Sequence, residues 1–386
     1  MHTPSLLLVL SAGAFFFVLP AHAGPKPPVI QSVNVAQLEQ TLGTSHNETD
    51  ADLAQQLSRL ELTERLGTVE LRRLSGSLPG EKSRAALMLL ADKSAFLDPP
   101  AAEIPADAMP DAATTRQMLV HIVNYVNTTL RQLPNLIASR DITSFEDRPA
   151  EDELQATGTV SYSYEPLHFV GKSVSDVTFR DRKELVEEAP RKDKAGKIGG
   201  LVTTGEFGPI LSTVVADALR GKITWGRWER GADGRIAVFR YTVPDEKSNY
   251  RVKFCCIVNG FSADGQADLQ LFDERASYHG EIAFNPEDGA IVRMTLQADM
   301  PPKSLVPSAG IAIDYGPVEI GGKTYIGPTR SVSSLQVHTA QPHGMFSRAM
   351  YNGPTKSFLN DIVFDHYRRF GSESRILTGE ASAPQP

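Results

Sequence analysis

The chain has 386 residues, of which 41% are hydrophobic and 22% charged, with a net charge of −7. This composition supports a packed core and excludes an intrinsically disordered chain. An acidic protein without a basic face is a poor partner for nucleic acid or anionic lipid surfaces, so we expect no nucleic-acid partner. At about 100–200 residues per domain, the length predicts two domains.

The first 23 residues predict a cleavable signal peptide. Residues 6–19 are apolar or small apart from Ser11, and Ala21-His22-Ala23 fits the rule for cleavage after Ala23. The start lacks Lys and Arg, so an uncleaved anchor is the alternative. The apolar run of about 14 residues is short for a membrane span, which needs about 20. We expect a periplasmic or extracellular protein, with no transmembrane span in the mature chain.

Helical periodicity dominates residues 34–100, which predicts a small helical region. Leu53, Leu57 and Leu60 recur at spacings of four and three. A second helix is expected to begin at Thr63, and a third to cover residues 85–97. A connector rich in Pro and Ala follows.

From Asp111 to residue 371 the sequence predicts one antiparallel β domain with two helices. Asp111 caps an amphipathic helix, and after Pro134 the pattern changes to alternation. A helix inserted at 209–220 has Pro209 in its first turn. The expected strands are 177–186, 222–229, 235–243, 281–284, 290–297, 311–315, 324–326, 332–338 and 361–364. The fold class is therefore α+β, with a curved antiparallel sheet (a half-barrel) wrapped on helices, and a disordered tail at 372–386.

The two cysteines are adjacent, as Cys255 and Cys256. Neighbouring Cα atoms lie about 3.8 Å apart, below the usual disulfide range, so a bond between them needs a strained turn. Two small buried apolar residues are the favoured interpretation, and a redox or cross-linking role is the alternative.

Motifs for catalysis are absent from the sequence. There is no HExxH, GxSxG, P-loop or GxGxxG pattern, so no catalytic residue, metal ligand or cofactor is predicted. A hydrolase stays an alternative. Its catalytic groups would come from two carboxylate pairs (Asp273-Glu274 and Glu287-Asp288) or from the loop histidines His338 and His343.

Aromatic residues suggest a binding surface instead. Trp225 and Trp228 are separated by an odd number, so on a regular strand they point to opposite faces. Ligand contact and ordinary core packing are both open for these side chains. The candidate ligand-binding residues are Trp225, Trp228, Phe239, Tyr241 and Phe284.

The order of elements resembles the half-barrel of the bacterial lipoprotein-carrier chaperones (LolA-like) and of the periplasmic sensor RseB. The strand–turn–strand unit at 281–293, with its Asn285-Pro286 turn, is similar to theirs. The segment Thr204–Gly208, the Trp225–Trp228 strand and the closing Tyr367–Gly371 resemble exported bacterial proteins of uncharacterised function. The first resemblance implies an apolar sheet interior that holds lipid or a lipoprotein; the second implies no reaction.

The sequence therefore favours an exported, non-catalytic binding protein with an apolar concave sheet. Its expected ligand is a lipid, an acyl group or a lipoprotein. An envelope scaffold that binds a protein partner is the first alternative, and a carboxylate-dependent hydrolase the second. Neither the oligomeric state nor the ligand identity follows from the sequence.

Overall fold

The computed structural model describes residues 30–45, 48–155, 158–186, 201, 203–231, 234–261, 267–339 and 353–370. The predicted signal peptide and the predicted tail at 372–386 lie outside these residues, as does His343. Within the described part of the chain, no helix has the length and apolar character that crossing a bilayer requires.

Helices and two short strands form the N-terminal region. They are β1 (Gln31–Val33), α1 (Val35–Thr44), α2 (Asp50–Leu57), β2 (Leu60–Leu62), α3 (Thr68–Gly76) and α4 (Glu81–Lys93). Asn34 and Gln37 form a reciprocal capping box at the start of α1, and Thr49 caps α2. Their leucines make a separate core around Leu38, Leu57 and Leu87.

The helix expected to begin at Thr63 begins five residues later, at Thr68. Leu60–Leu62 pair in parallel with Gln31–Val33, and this strand pairing takes the residues that helical spacing alone assigned to helices. Tertiary pairing overrides local periodicity here, because the strand buries Leu60 and Leu62 in the same core.

The described residues of the second part of the chain form two α-helices and fourteen strands. The helices are α5 (Ala112–Asn124) and α6 (Pro209–Arg220), the second with the predicted bounds. The strands are β3 (Leu136–Arg148), β4 (Glu151–Gln155), β5 (Gly158–Tyr162), β6 (Glu165–Arg180), β7 (Lys183–Val186), β8 (Lys222–Gly231), β9 (Gly234–Val243), β10 (Arg251–Phe261), β11 (Ala267–Arg275), β12 (Ser277–Phe284), β13 (Ile291–Asp299), β14 (Ser308–Ile320), β15 (Lys323–His338) and β16 (Thr355–Arg369).

Ten of these strands form one open sheet in the order β7-β6-β3-β16-β15-β14-β13-β12-β9-β8. Every pairing in it is antiparallel. The α+β class with a large antiparallel sheet is thereby confirmed. The strand expected over 177–186 is instead a hairpin, because Asp181 and Arg182 adopt positive φ and turn the chain between β6 and β7.

The two sides of the sheet differ in chemistry. One side, called the apolar face, presents Phe239, Ile282, Met294 and Ile313, and α5 and α6 pack against it. The helix α6 buries one side completely, with Leu211 and Val214 inaccessible, because its apolar residues recur with helical spacing.

The other side, called the charged face, presents Arg227, Glu281, Arg293, Asp314 and Arg330 on neighbouring strands. The N-terminal region covers it: Ala95 and Phe96 pack with Phe145, Ala312 and Leu359. A face with alternating charges is therefore largely removed from solvent, and its ions must find partners within the protein.

Strands β10 and β11 form a separate hairpin. Cys255 lies on it, exposed and disulfide-bonded, and Cys256 is the one other cysteine in the sequence. The favoured interpretation of Cys255 as a small buried apolar residue is therefore wrong, because its strand turns this side chain toward solvent.

Candidate functional site: an arginine-lined cavity

A cavity of about 390 Å³ lies between residues 95–98 and the charged face. Three adjacent strands (β9, β12 and β13) form its floor. This volume falls within the range of about 300–1,000 Å³ typical of small-molecule sites. We call it the arginine cavity; it is lined by Arg65, Ala95, Phe96, Leu97, Asp98, Arg240, Tyr241, Thr242, His279, Gly280, Glu281, Arg293, Thr295 and Gln297.

An ion-pair network holds the walls of the cavity together. Arg227 lies behind the wall, with Nη1 3.1 Å from Asp98 Oδ1 and 2.6 Å from Glu281 Oε1. Arg240 joins the same two carboxylates, at 3.1 Å and 2.9 Å. Arg65 pairs with Glu229 at 2.8 Å. Because Arg65 and Asp98 belong to the N-terminal region, these bonds tie that region to the sheet.

Glu281 is held in its ionised form. Burial alone raises the pKa of this carboxyl, but hydrogen bonds and charges from Arg227 and Arg240 outweigh burial and leave the pKa below its ordinary value. An acid of this kind is a poor proton donor at neutral pH. Glu281 therefore serves as a fixed negative charge on the floor of the cavity.

Tyr241 reaches into the sheet where the pairing of β12 and β13 is interrupted. Its hydroxyl donates a 2.6 Å hydrogen bond to the carbonyl of Thr295. Gly280 makes room for this contact, since a Cβ there would lie 2.0 Å from the Thr295 carbonyl oxygen and 2.7 Å from Tyr241 Oη. The pairing of β12 with β13 is therefore interrupted at the floor of the cavity, and the Thr295 carbonyl still has a hydrogen-bond donor in Tyr241.

Arg293 differs from the other arginines of the cavity. It forms no ion pair with any residue that the structure describes, and its guanidinium donates to the carbonyl of Ala95. Its Nε is inaccessible to solvent and has no acceptor. Burial, and then the charge of Arg65, lower the pKa of Arg293 to about 10.

The threonine hydroxyls of this lining are not placed beside a base. Among the described residues, neither Thr242 nor Thr295 has a hydroxyl bonded to a histidine or a carboxylate; Thr295 Oγ1 accepts from the backbone N–H of Glu281. His279 bonds Asp299 at 2.9 Å. A nucleophile activated by an adjacent base, which covalent catalysis requires, is not assembled by these described side chains.

The five aromatic residues proposed for ligand contact lie together on the apolar face. Phe239, Phe284 and Tyr241 are almost fully buried beside α5 and α6, and the ring centroids of Phe239 and Phe284 are 5.2 Å apart. Of the five, Tyr241 alone also lines the arginine cavity. Contact of these residues with a ligand stays a prediction.

The expectation that Trp225 and Trp228 point to opposite faces is wrong. Their ring centroids lie 4.7 Å apart. A β-bulge between Trp225 and Arg227 adds one residue to β8 and so brings both tryptophans to the same face. Trp228 Nε1 also donates a 3.0 Å hydrogen bond to the carbonyl of Ala108.

Sequence reasoning missed Arg65, Arg240, Glu281 and Arg293. For the three strand residues, the available signal was the alternation of polar with buried residues along β9, β12 and β13. That pattern is typical of a solvent-facing side, and nothing local indicates that residues 95–98 cover it.

A second group of buried acids lies where the chain enters α6. Glu206 is completely buried, and its carboxylate lies 3.7 Å from Arg140. Glu184 accepts hydrogen bonds from the backbone N–H groups of Gly205 (2.9 Å) and Phe207 (3.4 Å). Burial and the negative charge of Glu206 raise the pKa of Glu184 to about 9. The two carboxyl groups interact, although no hydrogen bond of normal geometry joins them.

Glu206 has no accessible surface, whereas Glu184 is partly exposed. Two of the acids considered for hydrolysis have structural partners: Asp273 pairs with Arg251 at 2.6 Å, and Asp288 accepts from the backbone of Ala290 within its turn. His338 contacts the carbonyl of Gly353 at 3.1 Å. Across the described ranges, no group of three or more His, Cys, Asp or Glu side chains is placed to hold a metal ion.

Comparison with protein-family models, with curated proteins and with solved structures found no match to this chain.

Proposed function

We propose that this protein is an exported, non-catalytic binding protein that holds a small polar ligand in the arginine cavity. The observation that carries the proposal is a cavity of about 390 Å³ whose lining combines guanidinium, hydroxyl and amide groups. A few convergent polar groups in a concave site are the usual features of ligand binding.

The position of the cavity supports this function. Arg65 and residues 95–98 form its wall, and strands β9, β12 and β13 form its floor. A bound molecule would contact both parts of the chain at once. Because the ion pairs already fix the wall and the floor, little conformational entropy is lost on binding, which favours affinity.

A matched pair of substitutions tests the site. Thr242 lines the cavity, whereas Thr224 is an exposed threonine on the adjacent strand and does not line it. The protein is purified natively, its bound small molecules are extracted and identified by mass spectrometry, and binding is then measured by calorimetry. Thr242→Trp should abolish binding and Thr224→Trp should retain it. If both folded variants bind the extracted molecule equally, the cavity is not the site.

The ligand proposed here differs from the lipid or acyl group that the LolA-like resemblance implies. That proposal requires an open apolar trough inside a half-barrel, and in this structure α5 and α6 pack on the apolar face. A lipid would therefore have to displace one of the two helices. Recovery of lipid in the extraction would favour the carrier over the polar-ligand site.

A further inference from the structure

We infer that the ligand of the arginine cavity carries an anionic carboxylate or phosphate group and that Arg293 is its anchor. This inference rests on the proposed function and specifies the class of ligand. It depends on the contacts of four arginines around one cavity and on the pairing of β13 with β14.

Three of the four arginines are already neutralised by carboxylates. Arg65 and Arg240 on the lining, and Arg227 behind it, each lie within 3.1 Å of at least one carboxylate oxygen. Arg293 forms no ion pair with a carboxylate among the residues that the structure describes. A guanidinium largely removed from water with no carboxylate in direct contact is costly, and an oxyanion in contact with it is its best partner.

The carboxylate opposite Arg293 attracts it through charge but forms no direct ion pair with it. Asp314 is its direct cross-strand neighbour on β14. Oppositely charged cross-strand pairs commonly attract each other. Here Asp314 Oδ2 instead accepts a 2.9 Å hydrogen bond from Thr68, and the Arg293 side chain reaches Ala95 at the wall of the cavity. An arginine needed only for stability would be expected to pair with Asp314.

The other residues that line the cavity restrict the chemistry of the rest of the ligand. Asp98 and Glu281 are engaged by Arg227 and Arg240, so neither is a free partner for a cation. Side chains such as Gln297 supply neutral hydrogen-bonding groups. The ligand that fits is therefore a small polar anion. Arginine suits such a group, because its planar fork matches two oxygens at once.

Thermal shift and calorimetry test this with defined probes. The probes are inorganic phosphate, citrate and, as a neutral polar control, galactose. The proteins are wild type, Arg293→Met, Arg293→Lys and Arg116→Met, the last removing an exposed arginine on α5 outside the cavity. Phosphate and citrate separate a phosphate-selective site from a carboxylate-selective one.

We expect phosphate or citrate to bind wild type and Arg116→Met equally. Affinity should fall at least about tenfold in Arg293→Met and less in Arg293→Lys, which keeps the charge but not the fork. Equal anion binding by Arg293→Met overturns the inference. Binding of galactose alone, when it is lost in Thr242→Trp, overturns the inference but supports the proposed function. If no probe binds and no polar molecule is extracted from the native protein, both proposals fail.

Discussion

Arg65 and Glu229 form a buried ion pair of 2.8 Å across 164 residues of sequence. Arg65 follows β2 in the N-terminal region, and Glu229 lies on edge strand β8 of the large sheet. Because Glu229 also bonds Arg227 at 2.6 Å, the pair connects the N-terminal region with the charge network behind the arginine cavity. Removing one partner therefore affects the contact between the two parts of the chain as well as a local bond.

Arg65→Ala should destabilise the protein by about 1–3 kcal/mol, because Glu229 stays buried with one partner fewer. Urea unfolding measures the change. Arg72→Ala is the matched control, since Arg72 is exposed on α3 and should change stability by less than about 0.5 kcal/mol. If the two variants unfold alike, the ion pair does not hold the N-terminal region against the sheet.

Arg293→Met should stabilise the ligand-free protein, by about 1 kcal/mol, because it removes a largely buried guanidinium that has no carboxylate in direct contact. The measurement is the urea midpoint without added anion. A clear loss of stability would indicate that Arg293 has a structural role through its bond to Ala95.

Glu184→Gln should change how stability depends on pH. The folded protein raises the pKa of this carboxyl from an ordinary value of 4.5 to about 9, so it binds the proton more tightly than the unfolded chain does. The stabilisation from this proton is complete below about pH 4.5 and is lost as pH rises toward 9. Because the neutral amide resembles the protonated acid, the variant should be more stable than wild type by about 1–3 kcal/mol at about pH 8.

Urea unfolding at about pH 4.5 and about pH 8 checks the Glu184 prediction, with Glu274→Gln as the control at an exposed acid. The difference between Glu184→Gln and wild type should be larger at the higher pH. Arg140, Glu206 and Tyr367 surround the group and remain unchanged in the experiment. The same difference at both pH values would mean that Glu184 does not titrate with a raised pKa.

Gly280→Ala should destabilise the protein by about 1–3 kcal/mol, because the new methyl group meets the Thr295 carbonyl oxygen and the strands must separate. Gly171→Ala is the control: it lies on β6, and a Cβ there would have no atom within 4 Å. Thermal unfolding compares the two.

Tyr241→Phe should also lower stability, by about 1 kcal/mol, since the Thr295 carbonyl loses its donor.

Local chemistry in the sequence predicts much of the secondary structure. Pro209 and the stripe that includes Leu211 and Val214 predict α6 with its observed bounds. The hairpin of β12 and β13 follows from the Asn285–Gly289 turn, in which Gly289 has a positive φ. Each of these features depends on residues a few positions apart, so a short stretch of chain contains the necessary information.

The candidate site could not be predicted in the same way. Arg240, Glu281 and Arg293 alternate with buried residues and so match the pattern of a solvent-facing side. The bulge between Trp225 and Arg227 interrupts the two-residue repeat of the strand, and this repeat was the basis for placing Trp225 and Trp228 on opposite faces. By itself, the sequence determined that the chain forms helices followed by antiparallel strands with one apolar face. Only the tertiary structure decided that the N-terminal region covers the charged face and encloses a cavity there, because that depends on contacts such as Arg65 with Glu229 between residues far apart in the chain.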